Sequence, residues 1–323
     1  MKAMNYVRQG YPEEVFNLIQ IATPSIEEDE VLVKISAALV TASDCISSSG
    51  SSALAGMFSG KKSKLKILGV EFSGVVEAVG DRVKRFKVND CVFGSAGLKY
   101  GAYAEYIKIK EDAVLLPKPD SVDFDEAVAL SDGGLTAYNF LINKAKLECG
   151  QRVLINGAAG AVGTYAVQLG KHYGAKVTGV CSACNFPMLK ELGADQVIDY
   201  TAEDFTKNGE TYDVIFDAVG KLSYTKCKQS LSPRGIYLTT VPNPAILLQM
   251  MKTFHSKGKR AVFSATGLKK AEERRKWLQL LAELCSEGKL KTVIDRYYPL
   301  EHMNEAHCYV GKGHKKGNVI ITL

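Results

Sequence analysis

The chain has 323 residues, with 41 Lys and Arg against 35 Asp and Glu, which gives a formal net charge of +6. Hydrophobic residues make up 46% and charged residues 24%, a composition typical of a globular protein with a sizeable core. No apolar run approaches the roughly 20 residues that a membrane-spanning helix needs. The basic residues are not interleaved with aromatic residues along one element, which argues against a nucleic-acid-binding face but leaves an anionic cofactor or substrate compatible with the charge.

Short β-like runs separated by turn residues dominate residues 1–120. They are VLVKISA (31–37), VEFSGVVEAVG (70–80), DCVFG (90–94) and AYAEYIKI (102–109). A helix capped by Ser121 is expected next, because Asp123, Asp125 and Glu126 in its first turn suit the helix dipole.

The middle of the chain alternates strand and helix, which predicts right-handed crossovers and a parallel sheet. Strands are expected at 152–156, 175–181, 196–200, 212–220, 236–241 and 261–266. Helices are expected at 161–174, 185–193 and from 223 to Pro233.

The last part starts with an amphipathic helix over 269–288, whose apolar face holds Trp277, Leu278 and Leu281. Two strands follow, TVIDRYYPL and GNVIITL, with a short helix between them. We therefore predict an α/β protein with two domains. A β-rich domain is built from residues 1–124 together with 267–323, and a doubly wound parallel-sheet domain covers 125–266.

The stretch RVLINGAAGAVG (152–163) runs from a buried strand through a glycine-rich turn into a helix. Small residues there allow a tight turn, a close backbone approach to a pyrophosphate and close packing of helix on strand. The helix N-terminus adds free N–H groups and a positive dipole end. Gly160, Ala161, Val162 and Gly163 are therefore predicted to bind the pyrophosphate of a dinucleotide.

The next strand ends VTGVCSACN, where NAD enzymes usually place an Asp or Glu on the ribose 2′-hydroxyl. No carboxylate occurs between Lys176 and Glu191, so we predict NADPH as the cofactor. Ser182, Asn185 and Tyr200 are the expected partners of its 2′-phosphate. Lys190 is the nearest candidate for a positive group.

Cys181 and Cys184 have C-x-x-C spacing, but no second ligand pair for zinc exists in the chain. We interpret the spacing as coincidental and leave a redox-sensitive pair open. All eight cysteines are expected to be reduced in a cytoplasmic protein, since the first residues lack an apolar export signal. The five histidines are interpreted as ordinary helix or surface residues.

Over nearly its whole length the chain resembles the zinc-free quinone oxidoreductase branch of the medium-chain dehydrogenase/reductase superfamily. The matching stretches include VLVKISAALVTASD (31–44), LGVEFSGVVEAVGDRVKRFKVNDCVFG (68–94), GLTAY (134–138), GQRVLINGAAGAVGTYAVQLGKHYGA (150–175) and YDVIFDAVG (212–220). The resemblance implies a GroES-like catalytic domain, a Rossmann NADP-binding domain and commonly a homodimer.

Two zinc ligands of the alcohol dehydrogenase branch are missing, because Thr41 stands three residues before Asp44 and Val70 stands before Glu71. We therefore expect no metal. Thr41 is a candidate donor to the substrate oxygen or an ordinary hydroxyl, and Asp44 is a structural acceptor or an acid–base group. The resemblance places Thr136 near the nicotinamide ribose, with helix packing as the alternative. It places Val219, Gly220, Thr240 and Phe263 along the nicotinamide half of the cofactor.

Without a metal, hydride addition to a simple ketone leaves a localised alkoxide. Addition to a quinone or to the β-carbon of an enone spreads the charge, so that hydrogen-bond donors suffice. The sequence thus predicts an NADPH-dependent enzyme that reduces quinones or the activated C=C bond of enones and alkenals. Its expected substrate is a small apolar carbonyl compound or quinone. The alternatives are a zinc-free alcohol dehydrogenase and a non-catalytic NADPH-binding sensor or nucleic-acid-binding protein.

Two further segments carry predictions. Residues 242–259 form an apolar, Met-containing segment that is expected to cap the substrate cleft. Core or dimer packing and attachment to a membrane surface remain alternatives. The loop at 47–64 is expected to contribute to the substrate pocket.

Overall fold

The structure is a computed structural model that describes residues 1–8, 10, 14–49 and 65–323. Most of the loop predicted to line the pocket, 50–64, lies outside these residues. The chain divides into two compact units. The first unit comprises residues 1–132, 270–286 and 294–323, and the second comprises residues 133–269 and 287–293.

These units differ from the predicted domains at three places, the smallest of which is residues 267–269, predicted in the first domain but part of the second unit. Residues 125–132 belong to the first unit, because the helix that starts at Phe124 packs on strands of that unit. Residues 287–293 belong to the second unit, where the side chain of Gln168 donates to the carbonyl of Lys291 and accepts from its N–H. Neither packing relation can be read from composition or periodicity.

Strands and helices are numbered in chain order over the described residues. The strands are β1 Lys2–Tyr6, β2 Phe16–Gln20, β3 Glu30–Leu39, β4 Glu71–Val79, β5 Cys91–Ser95, β6 Tyr106–Lys110, β7 Val114–Pro117, β8 Arg152–Asn156, β9 Lys176–Cys181, β10 Gln196–Asp199, β11 Tyr212–Asp217, β12 Leu231–Thr239, β13 Arg260–Phe263, β14 Ile294–Pro299 and β15 Asn318–Thr322. The helices are α1 Ala42–Ser49, α2 Phe124–Ala129, α3 Leu135–Tyr138, α4 Ala161–His172, α5 Phe186–Glu191, α6 Tyr224–Cys227, α7 Pro244–Thr253, α8 Ala271–Ser286 and α9 Met303–Gly311.

The first unit is built on a seven-stranded sheet with the order β14-β15-β3-β4-β5-β7, in which β6 also pairs with β3. Its strands are mostly antiparallel, and only β14 and β15 run parallel. β1 and β2 form a separate antiparallel pair. The core of this unit contains large, fully buried aromatic side chains, among them Phe72 and Tyr103. This is the β-rich, GroES-like unit that the two ends of the chain were predicted to form.

The second unit is a six-stranded parallel sheet with the order β10-β9-β8-β11-β12-β13. Counted within the unit, this is the order 3-2-1-4-5-6 of a doubly wound dinucleotide-binding fold. The strand order reverses between β8 and β11, so the carboxyl ends of these two strands flank the expected ligand crevice. The α/β fold class is confirmed.

Two local predictions were wrong. The segment from 223 was predicted to be helical up to Pro233, but α6 ends at Cys227 and β12 already begins at Leu231. Leu231 pairs with Tyr212 and the register then shifts, so a bulge accommodates Pro233 within the strand. The helix expected to be capped by Ser121 is instead capped by Asp123, which forms a reciprocal capping box with Glu126.

Among the helices that the structure describes, none is long and apolar enough to cross a membrane. The predicted amphipathic helix is confirmed as α8, where Leu278, Leu281 and Leu284 are buried. Trp277, expected on the apolar face, is only half-buried.

Candidate functional site

The glycine turn of the second unit connects β8 to α4 at the switch point of the sheet. Gly160 is the N-cap residue of α4, and no side chain caps this end of the helix. The turn is fastened to the neighbouring strand, because the N–H groups of Gly157 and Ala158 both donate to the carbonyl of Val180. The N-terminal N–H groups of the twelve-residue helix therefore point out of a rigid turn, as an anion-binding site requires.

The three glycines of this turn differ in why, or whether, the structure requires a glycine at that position. Gly157 has a φ of +78°, and an added Cβ would meet Val219 at 2.3 Å. At Gly163 an added Cβ would lie 2.2 Å from the carbonyl oxygen of Gly157 and 2.6 Å from Ala158 Cα, so close packing excludes any side chain. At Gly160 the nearest atom to an added Cβ is 3.5 Å away, an ordinary van der Waals contact, so this position tolerates a side chain. A side chain is thus tolerated at Gly160 and excluded at Gly163, and the binding of a diphosphate by Gly160, Ala161, Val162 and Gly163 stays a prediction.

The predicted adenosine end lies at the carboxyl ends of β9 and β10. Ser182 and Asn185 bracket a tight turn in which Asn185 N–H donates to the Ser182 carbonyl at 3.0 Å. Tyr200 N–H contacts the Cys181 carbonyl, so its exposed ring belongs to the same edge. The buried Asn185 Oδ1 has no hydrogen-bond partner, which marks a polar group that a ligand would satisfy.

The positions of two charged side chains, Lys190 and Asp199, differ from what the sequence predicted for this turn. Lys190 does not reach the turn, since its Nζ donates to the carbonyl of Asp195 beyond the C-terminus of α5. Asp199, which pairs with Cys181 across the sheet, brings a carboxylate to the turn that linear sequence distance had hidden. Its pKa is lowered by hydrogen bonds from Thr201 and also from the Ala183 N–H. The positive partner of a 2′-phosphate is therefore not Lys190.

Asp217, the last residue of β11, was not recognised from the sequence and organises the other side of the switch point. Its buried carboxylate accepts hydrogen bonds from five donors between 2.8 and 3.1 Å. The donors are Asn156 Nδ2, the backbone N–H groups of Val219, Gly220 and Leu222, and the Tyr237 hydroxyl. The signal was present as an Asp that ends a buried strand before A-V-G. This carboxylate fixes the loop that carries the predicted nicotinamide-side residues Val219 and Gly220.

Two of the remaining predicted cofactor residues, Thr240 and Phe263, lie at the same carboxyl edge. Thr240 follows β12 and donates to the Ala218 carbonyl, and Phe263 ends β13. Thr136 lies in α3, which packs on α4. The contact of all three residues with a nicotinamide stays a prediction.

In the first unit, Thr41 and Asp44 cap α1 reciprocally. Asp44 Oδ2 accepts from Thr41 N at 2.9 Å and from Thr41 Oγ1 at 2.7 Å, while Asp44 N donates to Thr41 Oγ1 at 3.2 Å. This is the geometry of a capping box. Because the single hydroxyl proton of Thr41 is donated to Asp44, the geometry supports the structural interpretation of both residues.

Buried charges surround this cap within the first unit. Burial raises the pKa of Asp44 to about 6, and burial together with Asp132 and Asp44 raises the pKa of Glu71 well above its ordinary value. Two cations offset these carboxylates. Arg274 donates to Ser95 Oγ at 3.0 Å and opposes the shift at Glu71, and burial lowers the pKa of Lys315 to about 8. Among the described residues, no group of three or more His, Cys, Asp or Glu is arranged to hold a metal ion.

The raised pKa of Asp44 predicts a stability that falls as the pH rises. Between about pH 4 and pH 6 the unfolded chain ionises this carboxyl while the folded chain keeps its proton, a contribution of about 3 kcal/mol. In Asp44→Asn, the loss of unfolding free energy over this window is expected to be smaller by about that amount. Urea titrations at closely spaced pH values measure it, and an unchanged pH slope in the variant would contradict the assignment.

Four cysteine thiols have a raised pKa because they are buried. Burial raises the pKa of Cys45 and of Cys227 to about 12, and of Cys181 and Cys285 to about 11, whereas Cys149 and Cys184 are exposed. His307, which was expected to be an ordinary helix or surface residue, is fully buried between Phe16 and Tyr103. Its burial lowers its pKa to about 3, so the neighbouring Cys45, 3.7 Å away, meets a neutral imidazole.

Comparison with known proteins identifies the family to which this architecture belongs. Residues 27–120 match the alcohol dehydrogenase GroES-like domain, and residues 192–321 match the zinc-binding dehydrogenase family. The chain is 30% identical over 331 residues to a chloroplastic quinone oxidoreductase of Triphysaria versicolor, covering 99% of this chain and 98% of the relative. It is 33% identical to a 2-methylene-furan-3-one reductase of Solanum lycopersicum, covering 99% of this chain and 79% of the relative.

Solved structures agree over the full length. A quinone oxidoreductase from Coxiella burnetii has a TM-score of 0.89 at 30% identity, with 100% of this chain and 99% of that chain covered. An Escherichia coli quinone oxidoreductase complexed with NADPH has a TM-score of 0.85 at 25% identity, with both chains fully covered. The chain therefore belongs to the medium-chain dehydrogenase/reductase superfamily and, within it, to the quinone oxidoreductase-like branch. It is an NAD(P)H-dependent oxidoreductase of the quinone oxidoreductase family.

Proposed function

We propose that this protein uses NADPH to reduce quinones or the activated C=C bond of enones and alkenals without a metal. The observation that carries the proposal is the rigid, uncapped glycine turn at the switch point, which has space beside Gly160 and none beside Gly163. Relatives over the full chain include an NADPH-dependent alkenal/one oxidoreductase of Arabidopsis thaliana, 30% identical. Thr41 and Val70 at two ligand positions of the zinc-dependent branch support the metal-free part.

The residues of the second unit fit a dinucleotide. The N–H groups of Ala161, Val162 and Gly163 would hold the diphosphate, and Ser182, Asn185 and Tyr200 the adenosine end. When bound, the reduced nicotinamide supplies a hydride. The loop fixed by Asp217 would position Val219 and Gly220 beside the nicotinamide half, so the contribution of this chain is orientation. The charge that arises on a quinone or enone is delocalised, and solvent supplies the proton.

The test is a series of initial rates of NADPH oxidation with quinones, short alkenals, ring enones and simple aldehydes, and with NADH in parallel. Quinones or conjugated carbonyl compounds are expected to be turned over, with NADPH preferred, and a Gly160→Val variant is the matched control without a cofactor site. Turnover of simple aldehydes alone would identify a zinc-free alcohol dehydrogenase. Tight NADPH binding without any turnover, combined with salt-sensitive RNA binding, would favour the sensor function.

The homodimer that the family resemblance implies, and a cytoplasmic location, also stay predictions. They are independent of the chemistry proposed above.

A further inference from the structure

A buried amide connects two segments of the second unit that were predicted to reach the nicotinamide half of the cofactor. The side chain of Asn139 is fully buried. Its Nδ2 donates to Thr266 Oγ1 at 2.9 Å and to Ser264 Oγ at 3.2 Å, and its Oδ1 accepts from Asn143 Nδ2 at 3.0 Å. Both hydrogens of the amide and its oxygen therefore have partners, so that the network specifies one arrangement of the segments that it joins.

The first of these segments is the helix that carries Thr136. Asn139 directly follows α3, and its N–H donates to carbonyls of the last turn of α3, including that of Thr136. The chain continues as a wider π-helical segment, Asn139–Lys144. Such segments are rare and occur often at functional sites. The ring of Phe140 stacks on that of Phe216 in β11 at a centroid distance of 5.0 Å, so this helix is packed on a central strand of the sheet.

The second segment follows β13. Phe263 is the last residue of β13, and Ser264 is the next residue of the chain. Thr266 begins a 3₁₀ turn in which Lys269 N–H donates to the Thr266 carbonyl at 3.1 Å. A short segment between regular elements has few backbone hydrogen bonds of its own to define its position. The course of the chain after Phe263 therefore depends on the two bonds from Asn139.

We propose that Asn139 is a positioning residue for hydride transfer, an inference that rests on the proposed function. It holds the helical turn of Thr136 and the end of β13 at Phe263 in one fixed relation, so that both meet the reduced nicotinamide in a single arrangement. A misplacement of about 1 Å at such a site can slow a reaction ~100-fold. The diphosphate and the adenosine end would be held elsewhere, at the glycine turn and at Ser182. Loss of the amide should therefore slow the reaction more than it weakens NADPH binding.

The first experiment uses the full-length protein without a cofactor. Asn139→Leu introduces a side chain of similar size that forms no hydrogen bonds. The backbone N–H groups of Leu268 and Lys269, which donate within the segment that Asn139 holds, are expected to exchange with deuterium at least ~5-fold faster in this variant. In Asn139→Asp the hydroxyl groups of Ser264 and Thr266 can rotate and donate to the carboxylate, so most of the protection is expected to return.

The second experiment uses NADPH and a quinone that the wild type reduces. In Asn139→Leu the rate of a single turnover is expected to fall at least ~10-fold, while the dissociation constant of NADPH changes less than ~3-fold. With NADPH deuterated at the transferred position, the isotope effect on kcat is expected to rise. The fluorescence of bound NADPH, which reports the surroundings of the nicotinamide without any turnover, is expected to change. Asn139→Asp is expected to recover part of the rate.

The matched control is Gln168→Leu. Gln168 is also a buried amide of the second unit with two donated hydrogen bonds and one accepted, but its partners, Thr164 and Lys291, were not predicted to reach the nicotinamide. This variant is expected to lose a similar amount of stability toward urea and to keep the wild-type rate and NADPH fluorescence. Thr266→Val removes one bond of the network at a half-buried residue, so it tests the same inference if Asn139→Leu does not fold. It is expected to slow the reaction about threefold, the effect of one ordinary hydrogen bond.

The outcomes separate this inference from the proposed function. If the wild type oxidises NADPH and both network variants, Asn139→Leu and Thr266→Val, do so at its rate, the positioning role is overturned and the proposed function stands. The same holds if Gln168→Leu is slowed as much as Asn139→Leu, or if deuterium exchange at Leu268 and Lys269 is unchanged. A wild type that neither binds NADPH nor oxidises it with any quinone or enone overturns both.

Discussion

A Gly160→Val variant is expected to lose NADPH binding and to remain folded. The φ of Gly160 is −80°, which any residue adopts, and an added Cβ meets no atom closer than 3.5 Å. The Cβ of the new side chain therefore fits without overlap, and the bulk of the valine is expected to compete with the diphosphate. We expect the dissociation constant of NADPH to rise at least ~100-fold, about 2.8 kcal/mol. Isothermal titration measures the affinity, and thermal unfolding is expected to show a loss of about 1 kcal/mol from the poorer N-cap.

The matched control three residues away behaves differently. A methyl group at Gly163 would overlap the backbone of Gly157 and Ala158, so Gly163→Ala is expected to lower the free energy of unfolding by about 3 kcal/mol. Gly160→Val is thus expected to lower the NADPH affinity far more than the stability, whereas Gly163→Ala is expected to lower both. Retention of NADPH affinity in Gly160→Val would show that the cofactor does not rest on this turn.

Replacement of Asp217 by Ala is expected to cost at least about 3 kcal/mol of unfolding free energy, because it leaves five donors around a fully buried position without their acceptor. The same change frees the loop from Val219 to Leu222, so the affinity for NADPH is expected to fall as well. Urea unfolding and cofactor titration of one preparation measure both effects.

Asp204→Ala is the control for this prediction. Asp204 caps a short helical turn and accepts from Thr206 N–H and Oγ1 near the surface. Its removal is expected to cost only about 1 kcal/mol and to leave NADPH binding unchanged. Equal losses of stability in the two variants would contradict the role assigned to the buried carboxylate.

The parts of the site that depend on local geometry were predictable. The turn from Gly157 to Gly163 can be recognised because its small residues directly follow a strand pattern and directly precede a helix pattern in the sequence. The same holds for α8 and for the alternation that produced the parallel sheet. The observed order of that sheet is the one typical of a doubly wound dinucleotide-binding fold.

The parts that depend on neighbours across the sheet were not predictable. Asp199 reaches the Ser182 turn only through the pairing of β10 with β9, and Lys190 points the other way along α5. His307 was predicted to be an ordinary helix or surface residue, yet it packs between the rings of Phe16 and Tyr103, which are far away in the sequence. The start of β12 at Leu231 overrides the helical pattern before Pro233, because pairing with β11 outweighs local propensity.

The protonated state of the buried thiols has a consequence for an enzyme that is proposed to reduce electrophilic alkenes and quinones. A thiol adds to such compounds only as the thiolate, so Cys45, Cys227, Cys181 and Cys285 are chemically silent toward the very molecules that the protein is proposed to consume. The two exposed thiols, Cys149 and Cys184, are the most accessible to such a reaction. Of these, Cys184 belongs to the turn proposed to hold the adenosine end, so arylation there would expel the coenzyme and leave the fold intact.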